Sequence, residues 1–272
     1  MCTLILGFGV VGPGGAARGS SLAGATGVIV AANRDEDPAR PSEPPGTLRG
    51  DPPLAGGRDT RAGGTWLAVR GREAVVALLN RRPGLDPPPA GGLARRSRGL
   101  LVLDVAAAPG GAEGSLVGAL DAATGALERH AYDPFTLVLA APAACAVLRW
   151  DGRHAVARAV EPGWHVVTHA EFDDPDEPRT AWLLADLAGW RPATADEAAA
   201  GLLDRLALHG EPGGAPPVCL HDGRMRTVST SVVWLSARAA RYLHVEGRPC
   251  EHPPLDHTHL LAGPPPAHTE TP

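Results

Sequence analysis

The chain of 272 residues has 44% hydrophobic and 20% charged positions, which is typical of a globular protein with one large domain or two small ones. Glycine and proline, 34 and 28 residues, cluster without a repeat, which excludes a collagen-like protein and indicates loops. A formal charge of -5 argues against nucleic-acid binding and against a polybasic membrane anchor. No apolar run reaches the ~20 residues of a membrane span, so we expect a soluble, cytoplasmic protein.

The first half of the chain is predicted to hold four strands, over residues 2–11, 28–32, 65–69 and 74–79. A glycine-rich stretch separates the first two, and residues 70–72 form a hairpin link between the last two. Residues 37–53 are too rich in proline for a helix or a central strand, which predicts a surface excursion. Another loop is predicted over residues 83–92.

Helical patterns occupy the middle of the chain, over residues 97–108, 115–122, 178–190 and 194–208. Short apolar runs between them predict an antiparallel meander, over residues 136–140, 144–150, 155–160 and 165–168. Strands are predicted again over residues 218–221, 226–235 and 241–245. The pattern predicts an α+β fold of antiparallel sheets covered by helices, in a single domain over residues 1–248. From Pro249 on, we expect a poorly ordered tail.

A glycine pattern in the first strand, Gly7-Phe8-Gly9-Val10-Val11-Gly12, matches the dinucleotide-binding fingerprint. That fingerprint needs a helix that begins at the motif, so that the pyrophosphate lies on the helix N-terminus. The proline and glycines that follow would break such a helix. We therefore interpret the pattern as a loop without nucleotide function.

Cys2 follows the initiator methionine and opens the first strand. Removal of Met1 would place a thiol nucleophile and an α-amine base on one residue, because an α-amine has a pKa of about 7.7–8.0. Such self-contained activation suits amide hydrolysis. The alternative interpretation is a small, buried residue at the start of a strand.

The second strand ends in four polar residues, Asn33-Arg34-Asp35-Glu36. Strand alternation places Asn33 and Asp35 on one face and Arg34 and Glu36 on the other. If this strand pairs with the first, one of these pairs can face Cys2, where an arginine would favour the thiolate and an acid could orient the base. The alternative is a solvated ion pair at a strand end.

Two further motifs follow. Gly57-Arg58-Asp59 and Gly63-Gly64-Thr65-Trp66-Leu67 predict a loop that enters a strand, where the twin glycines allow close backbone approach and the tryptophan provides an apolar anchor. Without further context, a tight turn into a buried strand is the favoured interpretation of these motifs. Asn80 ends the next strand, where its amide could donate to an oxyanion or cap the following turn.

These residues together resemble the NRDE family, that of the Transport and Golgi organisation proteins (TANGO, second member). The resemblance is carried by Met1-Cys2, the string from Ala31 to Glu36, the two glycine motifs and Leu79-Asn80, and it continues through residues 218–220 and 227–235. The family is similar to cysteine N-terminal-nucleophile (Ntn) hydrolases, including bile-salt hydrolases and penicillin acylases. The resemblance therefore implies a four-layer αββα sandwich.

The resemblance implies Cys2 as the nucleophile, Asn80 at the oxyanion-hole position, and Asn33, Arg34, Asp35 and Glu36 around the nucleophile. His169 stands where the hydrolases have an asparagine, as a substitute or as the sign of a lost role. Arg226 precedes Thr227, where relatives have a Thr-Arg pair, so the active-site arginine is shifted or absent. We group Arg58, Asp59, Trp66 and Arg226 as substrate-binding candidates.

The resemblance also implies a rival function, a carrier of haem or of an acyl-CoA-like lipid, since relatives are linked to haem and lipid metabolism. The hydrolase requires no cofactor, and haem is expected only as a ligand of the rival function. The four cysteines lie far apart in sequence without metal-ligand spacing. Cys250 with His252, His257 and His259 forms a loose cluster that matches no defined spacing, so no metal site is predicted.

Overall fold

Two antiparallel sheets organise the chain in a computed structural model, which describes residues 2–12, 27–81, 95–108, 116–211 and 214–262. The predicted loop at residues 83–92 and most of the glycine-rich stretch after the first strand lie outside the described residues. So do Met1, Ser115 and the chain beyond residue 262.

The strands in chain order are β1 (Thr3–Phe8), β2 (Val28–Glu36), β3 (Ser42–Arg49), β4 (Leu54–Asp59), β5 (Leu67–Arg70), β6 (Ala74–Asn80), β7 (Phe135–Ala141), β8 (Ala144–Trp150), β9 (Ala155–Val160), β10 (Gly163–Val167), β11 (Arg226–Leu235), β12 (Ala240–Glu246) and β13 (Leu255–Asp256). The helices are α1 (Arg98–Ala107), α2 (Val117–Arg129), α3 (Pro178–Leu187) and α4 (Ala195–Leu206), and a short 3₁₀ helix spans Thr258–Leu261.

The first sheet has the strand order β10-β1-β2-β11-β12-β13, and the second has the order β3-β4-β5-β6-β7-β8-β9. In the first sheet β1 pairs with β2 in antiparallel register, with Leu4 opposite Ala32. A dinucleotide-binding unit needs two parallel strands joined by a helix. The antiparallel pairing therefore excludes that function for the glycine pattern of β1.

Three apolar cores separate four layers. One core lies between the two sheets and includes Leu4, Val30 and Val138. The second joins the second sheet to α1 and α2, and the third joins the first sheet to α3 and α4. The fold is thus an α+β sandwich with helix, sheet, sheet and helix layers, as the family resemblance implies.

Several local predictions are confirmed because their signals are short-range. The hairpin of β5 and β6 pairs Arg70 with Ala74 across its link. Helix α1 begins after Ser97, whose hydroxyl accepts a hydrogen bond from the Gly99 amide. Helix α4 begins after Thr194, whose hydroxyl accepts from the Glu197 amide. These are N-cap contacts of the usual kind.

Three local predictions are wrong, because two expected loops hold strand residues and one expected strand is absent. The proline-rich excursion contains β3, which can hold two prolines because it is the outermost strand of its sheet. Residues 57–59 are the end of β4 rather than a loop. Residues 218–221 are not a strand. Instead, the amides of Val218 and Cys219 both donate to the carbonyl of Leu208, just after α4.

The meander prediction holds for β7, β8 and β9 but not for β10, which crosses to the other sheet and pairs with β1. Residues 250–262, in the part of the chain where a poorly ordered tail is expected, take regular structure. Strand β13 pairs with β12, the His257 amide donates to the Tyr242 carbonyl, and Leu261 is buried. Apolar burial and main-chain pairing outweigh the Pro- and His-rich composition here.

None of the described helices is both long enough and apolar enough to cross a membrane.

Candidate active site

Cys2 lies at the edge of the inner core, where β1 and β2 run side by side. Its sulfur is 3.4 Å from the Asp35 amide nitrogen, which donates to it, and 3.7 Å from the Asp35 carbonyl oxygen. The register of the two strands, with Thr3 opposite Asn33, brings the polar end of β2 to the start of β1. The predicted contact between the cysteine and this polar string is therefore present in the structure.

The environment of Cys2 favours the neutral thiol. Burial raises the pKa of the Cys2 thiol to about 11, and the carboxylate of Asp35 acts in the same direction. The Asp35 amide and the Arg34 guanidinium oppose this shift. A nucleophilic role therefore needs a further group that accepts the thiol proton.

The four residues Asn33 to Glu36 alternate between the faces of the sheet as the sequence predicts. Arg34 lies on the inner face, with its guanidinium 4.4 Å from the ring centre of Trp66 and 3.2 Å from the Ser42 hydroxyl. Glu36 is 3.8 Å from Arg34. Burial lowers the pKa of Arg34, and the carboxylate of Glu36 opposes that shift.

Asn33 faces the helix layer instead of the inner core. Its amide nitrogen donates to the carbonyls of Leu206 and Val218, at 2.9 and 3.1 Å, and its amide oxygen accepts from Thr230 at 2.6 Å. These contacts join β2 to β11, to the end of α4 and to the segment after it. Asn33 thus supports the strand that carries Arg34 and Asp35.

Asp35 lies on the same face as Asn33 and is buried. Its Oδ1 accepts a hydrogen bond of 2.7 Å from the Thr227 hydroxyl, and its Oδ2 is 4.0 Å from Arg179. Burial raises the pKa of the Asp35 carboxyl, while Thr227 and Arg179 act to lower it. Burial thus favours the neutral carboxyl group, and the contacts with Thr227 and Arg179 favour the ionised carboxylate.

Arg179 is a site residue that sequence reasoning missed. It is buried near the start of α3 and donates to the Thr3 hydroxyl at 2.7 Å. The sequence signal for it is a pair of polar residues, Arg179 and Thr180, on the buried face of an amphipathic helix. A buried arginine at such a position needs a partner inside the fold.

A cavity of about 370 Å³ opens beside Cys2. Its described walls are Cys2, Arg34, Asp35, Glu36, Arg40, Asp59, Ala62, Gly64, Thr65, Trp66, Leu78, Asn80, Arg95, Arg96, Ser97, Arg98, Gly99 and Asp133. Six other predicted site residues thus share one cavity with the cysteine: Arg34, Asp35, Glu36, Asp59, Trp66 and Asn80. Asn80 is exposed at the end of β6.

The remaining predicted residues lie elsewhere. Arg58 points to the outer rim of β3, where it donates to the Leu48 carbonyl. Arg226 is exposed and donates to the Gly223 carbonyl. His169 follows β10, and the register that places Leu4 opposite Val167 would, if extended, bring it opposite Cys2. None of these three is among the described walls of the cavity.

Basic side chains dominate one wall of the cavity. Arg40 pairs with Asp59 at 2.7 Å, Arg96 pairs with Asp104 at 2.5 Å, and Arg95 pairs with Asp133. The guanidinium of Arg98 donates to the Pro134 carbonyl at 2.9 Å, and among the described residues no carboxylate lies within 4.0 Å of it. Burial lowers the pKa of Arg98. This half-buried cation lies beside the N-terminus of α1, which also attracts negative charge.

The family model for Transport and Golgi organisation 2 matches residues 23–187, which is more than half of the chain. The chain belongs to the Transport and Golgi organisation 2 family. The match covers the Asn33–Glu36 string, the glycine motifs and Asn80, which carried the resemblance in the sequence. No curated protein sequence matches this member of the family.

Solved structures similar to this chain include the following three enzymes. The conjugated bile acid hydrolase of Clostridium perfringens, as its C2A mutant, gives a TM-score of 0.56 at 10% identity and covers 97% of this chain and 95% of that chain. A Caenorhabditis elegans ortholog of N-acylethanolamine-hydrolyzing acid amidase gives 0.52 at 13% identity, covering 85% and 92%. Penicillin V acylase of Agrobacterium tumefaciens gives 0.52 at 12% identity, covering 90% and 83%. At these identities the likeness establishes the Ntn-hydrolase fold.

Proposed function

We propose that this chain is a cysteine Ntn hydrolase that cleaves an amide or related acyl bond in a small molecule. The observation that carries the proposal is the position of Cys2, whose sulfur touches the Asp35 backbone at the wall of a cavity of about 370 Å³. A reactive group at the start of β1 on an Ntn-hydrolase fold has the placement that this chemistry needs.

Removal of Met1 would free the α-amine of Cys2. That amine accepts the thiol proton, and the sulfur attacks the substrate carbonyl to form a tetrahedral oxyanion. The ammonium then returns the proton to the leaving amine as the carbon–nitrogen bond breaks, which leaves a thioester on Cys2. Water, deprotonated by the same amine, attacks the thioester, and the departing sulfur takes the proton back.

Two neighbours support these steps. The Asn80 amide, on the wall of the same cavity, is the donor we place at the oxyanion. The Arg34 guanidinium stabilises the thiolate, because its positive charge lowers the pKa of Cys2. The stack on Trp66 holds this guanidinium in place.

The basic wall favours a substrate that carries an anionic group. Arg98 forms no ion pair within 4.0 Å among the described residues, although the Asp133 carboxylate acts on it at longer range. It lies with Ser97 and Gly99 at the first turn of α1. A carboxylate, sulfonate or phosphate on the substrate would pair with Arg98, and the positive end of the α1 dipole would add to that attraction.

The experiment uses untagged protein, whose intact mass is measured before and after a thiol-reactive acylating probe. We expect Met1 to be absent and one probe molecule to be attached at Cys2 well before Cys145, which is buried in the inner core. Cys2→Ser should abolish both labelling at this position and turnover, whereas Cys145→Ala should retain both. Retention of Met1, or equal reactivity of the cysteines, would contradict the hydrolase. Titration with haem and acyl-CoA would then test the carrier function.

A further inference from the structure

Four potential metal ligands meet at the end of the helix layer, on segments that are distant in sequence. His209 follows α4, Cys219 and His221 lie on the segment between α4 and β11, and Cys250 lies in the loop between β12 and β13. One ligand atom from each residue lies within 4.8 Å of the other three. We call these four residues the four-ligand cluster.

Three of these atoms have the spacing of a tetrahedral site, and the His209 ring nitrogen lies within 4.8 Å of each of them. The Cys219 and Cys250 sulfurs are 3.6 Å apart, and the His221 Nε2 lies 3.2 Å from one and 3.8 Å from the other. Two thiolates bound to one zinc ion at ~2.3 Å lie ~3.8 Å apart, and a thiolate and an imidazole lie ~3.5 Å apart. The three distances therefore fit around a single ion.

Neither a disulfide nor a hydrogen bond between the two thiols accounts for the cluster as well as a metal ion does. A disulfide needs its sulfurs ~2.05 Å apart, and both cysteines are free thiols in the structure. Thiols are weak hydrogen-bond donors, so the approach of Cys219 to Cys250 has little value by itself. The other described cysteines, Cys2 and Cys145, have no such group of histidines around them.

A carboxylate beside the cluster supports this interpretation. Glu251 lies 3.7 Å from Nδ1 of His221, the ring nitrogen that does not face the cysteines, and Arg248 holds the carboxylate at 2.7 Å. Histidines that bind zinc through one nitrogen commonly direct the other nitrogen to a carboxylate or carbonyl. The ring of His221 is thus oriented with Nε2 toward the sulfurs.

We propose that the four-ligand cluster binds one structural zinc ion. Two thiolates and two imidazoles complete the coordination, so the ion is a clamp and offers no open position for catalysis. It fixes the end of α4, the segment between α4 and β11, and the β12–β13 loop to one another. The four residues are separate from the described walls of the cavity at Cys2.

The clamp also has a path to the candidate active site. Val218, next to the ligand Cys219, accepts a hydrogen bond from Asn33. The Leu220 amide donates to the Thr227 hydroxyl, which in turn donates to Asp35. Zinc binding thus holds the segment that supports the polar end of β2.

The test is the metal content of the untagged full chain, purified under reducing conditions from medium with zinc. Elemental mass spectrometry should find about one zinc per chain in the wild type. Cys250→Ala and His209→Ala, at half-buried and exposed positions, should lower it at least tenfold. The matched controls Cys145→Ala and His252→Ala, a cysteine and a histidine outside the cluster, should retain it.

Replacement of zinc by cobalt(II) provides a second measurement. The wild type should show the visible bands of tetrahedral cobalt and a thiolate charge-transfer band, and Cys250→Ala should lose the latter. If the variants do not fold, peptide mapping of the wild type decides: chelation should expose Cys219 and Cys250, but not Cys145, to iodoacetamide. A wild-type chain that binds neither metal, or that forms a Cys219–Cys250 disulfide under reducing conditions, overturns the proposal.

Discussion

The Thr227 hydroxyl donates a hydrogen bond of 2.7 Å to Asp35, the residue whose backbone contacts the Cys2 sulfur. The same hydroxyl accepts from the Leu220 amide at 2.9 Å. Thr227 thus connects the segment after α4 with β2, the strand that carries Asp35 at the candidate site.

The first prediction concerns this connection. Thr227→Val keeps the shape of the side chain but leaves the buried Asp35 carboxyl and the Leu220 amide without their hydroxyl partner. We expect the free energy of unfolding to fall by about 1–3 kcal/mol, measured by denaturant titration. Thr227→Ser retains the hydroxyl and should lose less. Equal unfolding midpoints for the valine variant and the wild type would contradict the role of the hydroxyl.

The second prediction concerns the pH dependence of Cys2 in protein that retains Met1, produced with methionine aminopeptidase inhibited. Because the pKa of Cys2 is raised to about 11, the thiolate fraction grows about tenfold per pH unit between about pH 8 and about pH 10. The rate of iodoacetamide labelling, followed by peptide mapping, should rise accordingly without a plateau. Cys145, whose burial raises its pKa to about 12, should lag behind.

The raised pKa of the Cys2 thiol also makes the free energy of unfolding depend on pH. The folded state keeps Cys2 protonated above the pH at which the unfolded chain ionises. This contribution to stability is complete below the ordinary thiol pKa and is lost as the pH rises toward about 11. A labelling rate that levels off below about pH 9 would contradict the raised pKa.

The third prediction separates the two asparagines of the chain. Asn33→Ala removes two donors and one acceptor from a buried site, which leaves the carbonyls of Leu206 and Val218 unsatisfied. We expect a loss of at least ~2 kcal/mol in the free energy of unfolding. Asn80→Ala, at an exposed strand end, should cost less than ~0.5 kcal/mol. Similar losses in the two variants would show that Asn33 has no special structural role.

The fourth prediction concerns the contact between Gly64 and the start of α1. A Cβ atom at Gly64 would lie 2.3 Å from the Gly99 carbonyl carbon and 2.7 Å from the Leu100 nitrogen. Both are backbone atoms, so Gly64→Ala must displace α1 at the cavity wall, at a cost of about 1–3 kcal/mol in unfolding free energy. Gly46→Ala, where a Cβ meets nothing within 4 Å, is the matched control. Thermal unfolding of both variants would test this difference.

The sequence predicts the parts of the fold that depend on nearby residues. Ser97 and Thr194 mark helix starts because each caps an amide within the next three residues. The alternation of Asn33 to Glu36 predicts which side chains share a face, since it depends only on the pleat of one strand.

The remaining features depend on contacts between distant residues, which a single sequence does not encode in any local pattern. Strand β10 has the same short apolar pattern as β9 but pairs with β1 in the other sheet. Arg179 lies 176 residues from Thr3, to which it donates. Cys219 and Cys250 are 31 residues apart, and their spacing resembles a metal motif only after the loop beyond β12 folds back.

The prolines of β3 affect how the molecule meets other copies of itself. Pro44 and Pro45 are consecutive residues of the outermost strand, at a shift in its pairing with β4. Neither has an N–H group, and because successive N–H groups of a strand point to opposite edges, the pair removes a donor from this border of the seven-stranded sheet that an incoming chain would need. The border is thereby blunted as a template for β-aggregation, even though the strand itself is eight residues long.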